Sequence, residues 1–171
     1  MKIFDEAMRL GLHDMGSKER LWLEAAALLR DIGASVGGEY HESSRELILS
    51  STELRETLGY LGLRAVAWIA FFHRKKPDPL KYPDPEWKEF LESKYWSVVV
   101  KLAAILRIAD VLDRSLLQVV GDVELEKNND NVLIKVYSEE DASIEIERAR
   151  EKAQLFEKVF SVKVGVRQVS K

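Results

Sequence analysis

The chain has 171 residues, of which 46% are hydrophobic and 32% charged, with a formal net charge of −3 and no cysteine. That length allows one well-buried core with a modest appendage, and the near balance of charge disfavours a nucleic-acid partner held by bulk electrostatics. The lack of thiols excludes disulfides, thiolate metal sites and a cysteine nucleophile, and it suits a reducing cytoplasm.

No run approaches the roughly 20 apolar residues of a membrane span, so no membrane partner is expected. Met1-Lys2-Ile3-Phe4 leads into Asp5-Glu6 rather than into an apolar signal segment. Ile3 to Leu12 reads as a short amphipathic helix ending near Gly11. Ser17 is then placed to cap a helix that has Glu19 in its first turn. Leu21, Ala25, Leu28, Leu29 and Ile32 recur at helical spacing while Leu23, Ala26 and Ala27 fill the other faces. A helix apolar nearly all round is expected in the middle of a bundle, and Gly33 ends it.

Gly33 to Tyr40 reads as a loop. Ser43 and Glu46 stand at capping-box spacing ahead of Leu47-Ile48-Leu49. A third apolar helix is expected over about Leu63 to Phe72. All four prolines, Pro77, Pro79, Pro83 and Pro85, follow in one loop. Tyr95 to Asp113 carries the longest helical pattern, with Val99, Leu102, Ala103, Leu106 and Ala109 along one stripe. After Gly121 the period falls to two. Val123 and Leu125, then Val132, Ile134 and Val136, alternate with polar residues around Asn128-Asn129-Asp130-Asn131, which predicts a β-hairpin. Ser143 to Ile146 reads as a further strand, Glu147 to Phe160 as helix, and Val162 to Val169 as a final strand. The fold class is therefore mainly α, a helical bundle over residues 1–120 followed by a small α+β unit over 121–171.

Three histidines limit where chemistry can reside. His13, in the polar connection His13-Asp14-Met15-Gly16, reads as an ordinary surface residue. Trp22, Trp68, Trp87 and Trp96 are scattered and read as packing. His73-Arg74-Lys75-Lys76 concentrates positive charge at a helix C-terminus, where the dipole favours it. Solvation alone accounts for such a cluster, yet it also suits phosphate contact, with Arg107 and Arg114 as further contributors. No glycine-rich phosphate loop occurs.

The remaining cluster is Leu23-Glu24-Ala25-Ala26-Ala27-Leu28-Leu29-Arg30-Asp31-Ile32-Gly33. It resembles the signature helix of the HD-like C-terminal domain of the exopolyphosphatase and guanosine pentaphosphate phosphohydrolase family, which commonly ends Leu-Leu-His-Asp-Ile-Gly. Tyr40-His41-Glu42-Ser43-Ser44 resembles the family's His-x-His-Ser helix. Phe72-His73-Arg74-Lys75 is similar to its Tyr-His-Arg-Lys. Lys101 to Ser115 resembles its Leu-Arg-x-Ala-Asp-x-Leu-Asp-Arg-Ser helix, and Ala153 to Phe160 its final helix. The resemblance implies an HD-type helical scaffold from about Phe4 onwards, a homodimer, and a region that helps to bind polyphosphate.

The departures matter for function. HD chemistry uses imidazoles and carboxylates to hold a divalent metal that activates water. The central histidine is Arg30 here, which stays protonated and cannot ligate. The second His of the His-x-His pattern is Ser43, and the chain starts at the tail of the helix that would give a further histidine. Asp31, His41 and Asp110 are what is left of a metal set, for an ion such as Mg or Mn. The expectation is a non-catalytic accessory module without a cofactor, binding polyphosphate, a phosphorylated guanosine nucleotide or a separate catalytic chain. Arg30, His73, Arg74, Lys75 and Arg107 are its candidate anion contacts. Two alternatives stay open: a residual metal-dependent phosphohydrolase, and a purely structural dimerisation domain. The sequence also reads either as complete or as the C-terminal end of a longer exopolyphosphatase-like hydrolase.

Overall fold

A computed structural model describes residues 1–35, 40–74, 76–82, 94–112 and 119–169. The chain is mainly helical, with a three-stranded sheet after the helices. It divides by packing into two units, Gly16–Leu106 and a second made of Met1–Met15 with Arg107–Lys171. The change of period at Gly121 marks where strands begin. The packing division instead groups the first helix with the strands.

In the unit Gly16–Leu106, helix α2 covers Ser17–Leu29 and the 3-10 turn Ile32–Ser35 follows it. Helix α3 is Tyr40–Ser50, α4 is Thr52–Phe71, and α5, Trp96–Leu112, contributes its residues up to Leu106. The residue that caps α2 is Gly16 rather than Ser17, and the Glu19 side chain accepts the Gly16 N–H at 2.9 Å, which satisfies one of the open donors at the helix start. The helix buried on every side is α4 rather than α2. From Gly62 to Phe71 it exposes almost nothing except at Arg64. On α2 the buried residues are Trp22, Leu23 and Ala26, whereas Leu21 and Leu28 face outward, Leu28 at 78% exposure. A helix that is apolar nearly all round in sequence thus buries only the side that carries Trp22 and is not enclosed as expected.

Trp68 stacks on Phe72 at 5.4 Å and meets Phe71 edge-on, and Tyr82 closes over all three. The Arg45 guanidinium lies 4.8 Å from the Trp68 ring. The Ser51 hydroxyl accepts the Leu54 N–H at 3.2 Å, so it is Ser51 that caps a helix, while Ser43 and Glu46 lie inside α3. Gly59, with φ +71° and ψ 170°, breaks α4 into two segments in a conformation that is nearly confined to glycine. At Gly62 an added Cβ would stand 2.8 Å from the Trp22 indole nitrogen, so the absent side chain is what lets α2 and α4 approach.

In the second unit, α1 (Lys2–Arg9) buries Ile3, Phe4 and Ala7. Strands β1 (Asp122–Asn128) and β2 (Asn131–Tyr137) form the expected antiparallel hairpin, with Asn129 in the left-handed region at its turn. Helices α6 (Ser143–Lys152) and α7 (Gln154–Phe160) carry the chain to β3 (Lys163–Val169), which pairs with β2 in parallel, Ile134 opposite Val166. The sheet order is β1-β2-β3. Ser143 to Ile146 is helix, not strand. Its four-residue alternation is outweighed by the buried series Ala142, Ile146, Ala149 and Ala153, which keeps helical spacing over three turns.

His13 is buried rather than exposed. Its Nε2 donates to the Phe4 carbonyl at 3.1 Å, its Nδ1 accepts the Met15 N–H at 3.2 Å, and its ring lies 4.5 Å from that of Phe4. One nitrogen donates and the other accepts, which only the neutral ring can do. The positive φ of Gly11 turns the chain back so that the imidazole reaches Phe4. No helix among the described residues is long and apolar enough to cross a membrane.

Candidate functional site

Arg30 is the residue that closes α2, and Asp31 follows it in the turn before the 3-10 helix. Gly33 fixes the position of this turn. Its N–H donates to the Ser44 hydroxyl at 3.0 Å, and a Cβ added to it would stand 2.5 Å from the Ser44 backbone nitrogen. The turn therefore rests directly on the first turns of α3, and only glycine permits that approach.

Arg30 and Asp31 then act together. Arg30 Nη1 donates to the Ala27 carbonyl, and Arg30 Nε stands 3.3 Å from Asp31 Oδ2. The other carboxylate oxygen, Oδ1, is 3.8 Å from His73 Nε2. His73, just beyond α4, is almost wholly buried, whereas the Asp31 side chain is half exposed. A carbonyl only accepts, so the bond from His73 Nδ1 to the Ala70 oxygen requires a proton on Nδ1. That leaves Nε2 as the atom facing Asp31, and a second proton on the ring completes an ion pair with it.

The structure thus joins residues that the sequence placed in separate clusters. Arg30, Asp31 and His73 meet around one carboxylate. The signal was the order of the motifs, which cannot say which side chains converge. Arg74 places its guanidinium 4.5 Å from the Tyr40 ring, a cation–π contact that no motif announced. His41 is buried with its ring 5.0 Å from that of Phe71. Arg107, which is buried, and Asp110, which is half-buried, belong to the other unit. Lys75 and Arg114 lie outside the described residues.

The donor chemistry around Asp31 does not suit a divalent ion. Mg²⁺ and Mn²⁺ want several oxygen ligands, and here a guanidinium occupies one carboxylate oxygen while an imidazole faces the other. Among the described residues no three His, Asp or Glu side chains are grouped as a metal would need. An open groove of about 880 Å³ crosses the turn end of the sheet, bordered by Arg9, Glu126, Leu133, Lys163 and Gly165. Its charges are mixed, and Glu126 is already held by Lys135. No known family's model matches this chain, and no curated protein does.

Proposed function

We propose that this chain is a non-catalytic accessory module, related to the C-terminal domain of exopolyphosphatases, that binds a phosphate-rich ligand through Arg30, His73 and Arg74. The observation that supports it is the sharing of one half-exposed carboxylate, Asp31, between Arg30 and His73. A phosphate group competes for the same donors. It offers more acceptor oxygens than a carboxylate and takes the guanidinium bidentately. Asp31 then acts as the resident anion that the ligand displaces, and Arg30 supplies the positive charge that a metal supplies in a working HD site.

Inorganic polyphosphate and phosphorylated guanosine nucleotides are the ligand class that the sequence resemblance implies. The module acts in a reducing cytoplasm, as a homodimer or beside a separate catalytic chain. Calorimetric titration with polyphosphate and with guanosine tetraphosphate at low salt tests the reading. Binding is expected to weaken about tenfold in Arg30→Ala, which corresponds to about 1.4 kcal/mol, and to strengthen in Asp31→Asn. Absence of binding to either ligand at low salt overturns it. So does a stoichiometric transition metal in the purified protein that is lost in Asp31→Ala, since that outcome belongs to a metal-dependent phosphohydrolase.

A further inference from the structure

Both outer edges of the three-stranded sheet are met by side chains where further strands would otherwise pair. At the β1 edge, Glu6 Oε2 accepts the Leu125 N–H at 3.1 Å and Arg9 Nη2 donates to the Leu125 carbonyl at 2.7 Å. The two side chains are themselves paired at 2.7 Å. They stand three residues apart on α1, so one helical turn presents an acceptor and a donor together, as a neighbouring strand would. At the β3 edge, Glu157 accepts the Val164 N–H at 2.9 Å, and Arg150 donates twice to the Val166 carbonyl, at 3.1 and 2.6 Å. The same carboxylate-and-guanidinium chemistry recurs at the second edge, where α6 supplies the guanidinium and α7 the carboxylate. An open edge is a template for pairing with another chain, and natural sheets cover theirs.

We infer that α1 is a guard over the β1 edge, and that displacing Glu6 and Arg9 opens this edge to β1 of a second copy. Strand period fixes which groups are involved. Leu125 turns its polar groups outward, so Val123 and Lys127, two residues away on either side, do the same. Antiparallel pairing of two copies about Leu125 sets Leu125 against its counterpart. It also sets Glu124 of one copy beside Glu126 of the other, and like charges in that relation repel. Each has a partner within its own chain, Glu124 in Tyr137 and Glu126 in Lys135, which lessens this repulsion without removing it. The edge is therefore guarded twice, by α1 and by charge. Association needs the loss of the first and the screening of the second. This inference is independent of the phosphate reading, since Glu6, Arg9 and β1 lie in the unit that does not contain Arg30 or His73.

The test uses the full chain with Glu6→Ala and Arg9→Ala together. Amide hydrogen exchange at Leu125 is expected to quicken about tenfold or more, with the Val164 amide unchanged. Light scattering should show one association step beyond the wild-type state at about 1 M salt, where screening acts within about 3 Å, and none at low salt. Adding Lys127→Pro removes an outward N–H without touching the β2 ladder, and it should abolish that step. If the alanine pair does not fold, Glu6→Gln with Arg9→Gln keeps the side-chain volume and is read in the same three ways. An unchanged Leu125 rate, no association at high salt, or association that survives Lys127→Pro each overturns the inference.

Discussion

The two units are held together by different means. Gly16–Leu106 coheres through shape: an aromatic stack on Trp68, and glycines at Gly33 and Gly62 that admit a neighbouring backbone and an indole. The unit that contains the sheet adds polar fastening at its margins, where Glu6, Arg9, Arg150 and Glu157 hold backbone groups. The helical unit should therefore fail when volume is added, and the sheet unit when charge is removed. A helix satisfies its own backbone, so only its side-chain surface needs a fit. A sheet of three strands has two edges and must do something about both.

The largest expected effect is Gly33→Ala, because the new Cβ meets the backbone of Ser44 and Tyr40, which cannot move aside. Thermal unfolding should show a loss of about 3 kcal/mol, at the upper end of overpacking costs. Gly59→Ala faces open space and is strained by its positive φ alone, so about 2 kcal/mol is expected. If Gly33→Ala proves the milder of the two, the argument from shape is broken.

Glu6→Gln comes next, at about 1–2 kcal/mol for a weakened charge-assisted pair, and should loosen α1 selectively. The Arg9 guanidinium holds the Glu6 carboxyl below the usual glutamate range, against the opposing effect of burial. A depressed carboxylate adds stability that is present above its unfolded value and disappears as pH falls through its folded one. Acid titration followed by hydrogen exchange should therefore release Leu125 only below the usual glutamate range in the wild type, and this acid-dependent step should be missing in Glu6→Gln. The smallest effect belongs to Lys135→Met. This lysine pairs with Glu126 on the outer face of the sheet, and surface pairs of this kind rarely register. A clear fall in melting temperature there would extend the sheet unit's dependence on charge from its margins to its face.

Much of the fold could be read from periodicity, since period reports which faces are apolar. The hairpin at Asn129-Asp130 and the long helix ending at Leu112 follow from it. Periodicity cannot say how much of an apolar surface its neighbours cover, and so α2, expected in the middle of a bundle, leaves Leu21 and Leu28 outside. Nor can it show a helix leaving its neighbours in sequence to close a sheet, as α1 does, or a histidine folding back against the helix that precedes it, as His13 does. At the candidate site, Arg30 and Asp31 stand together in the sequence. Their meeting with His73 depends on where α4 ends relative to the Gly33 turn. That is a matter of packing over 40 residues and leaves no local mark.

The bond between Glu6 and the Leu125 amide joins residues 119 positions apart. On a ribosome adding about 5–20 residues each second, roughly ten seconds pass between the emergence of α1 and that of the strand it fastens. Throughout that interval Ile3, Phe4 and Ala7 have no sheet to dock on, while the segment Gly16–Leu106 can already be folding beside them. A helix made early is thus placed late, and its apolar face stays open for long enough that chaperones have time to meet it.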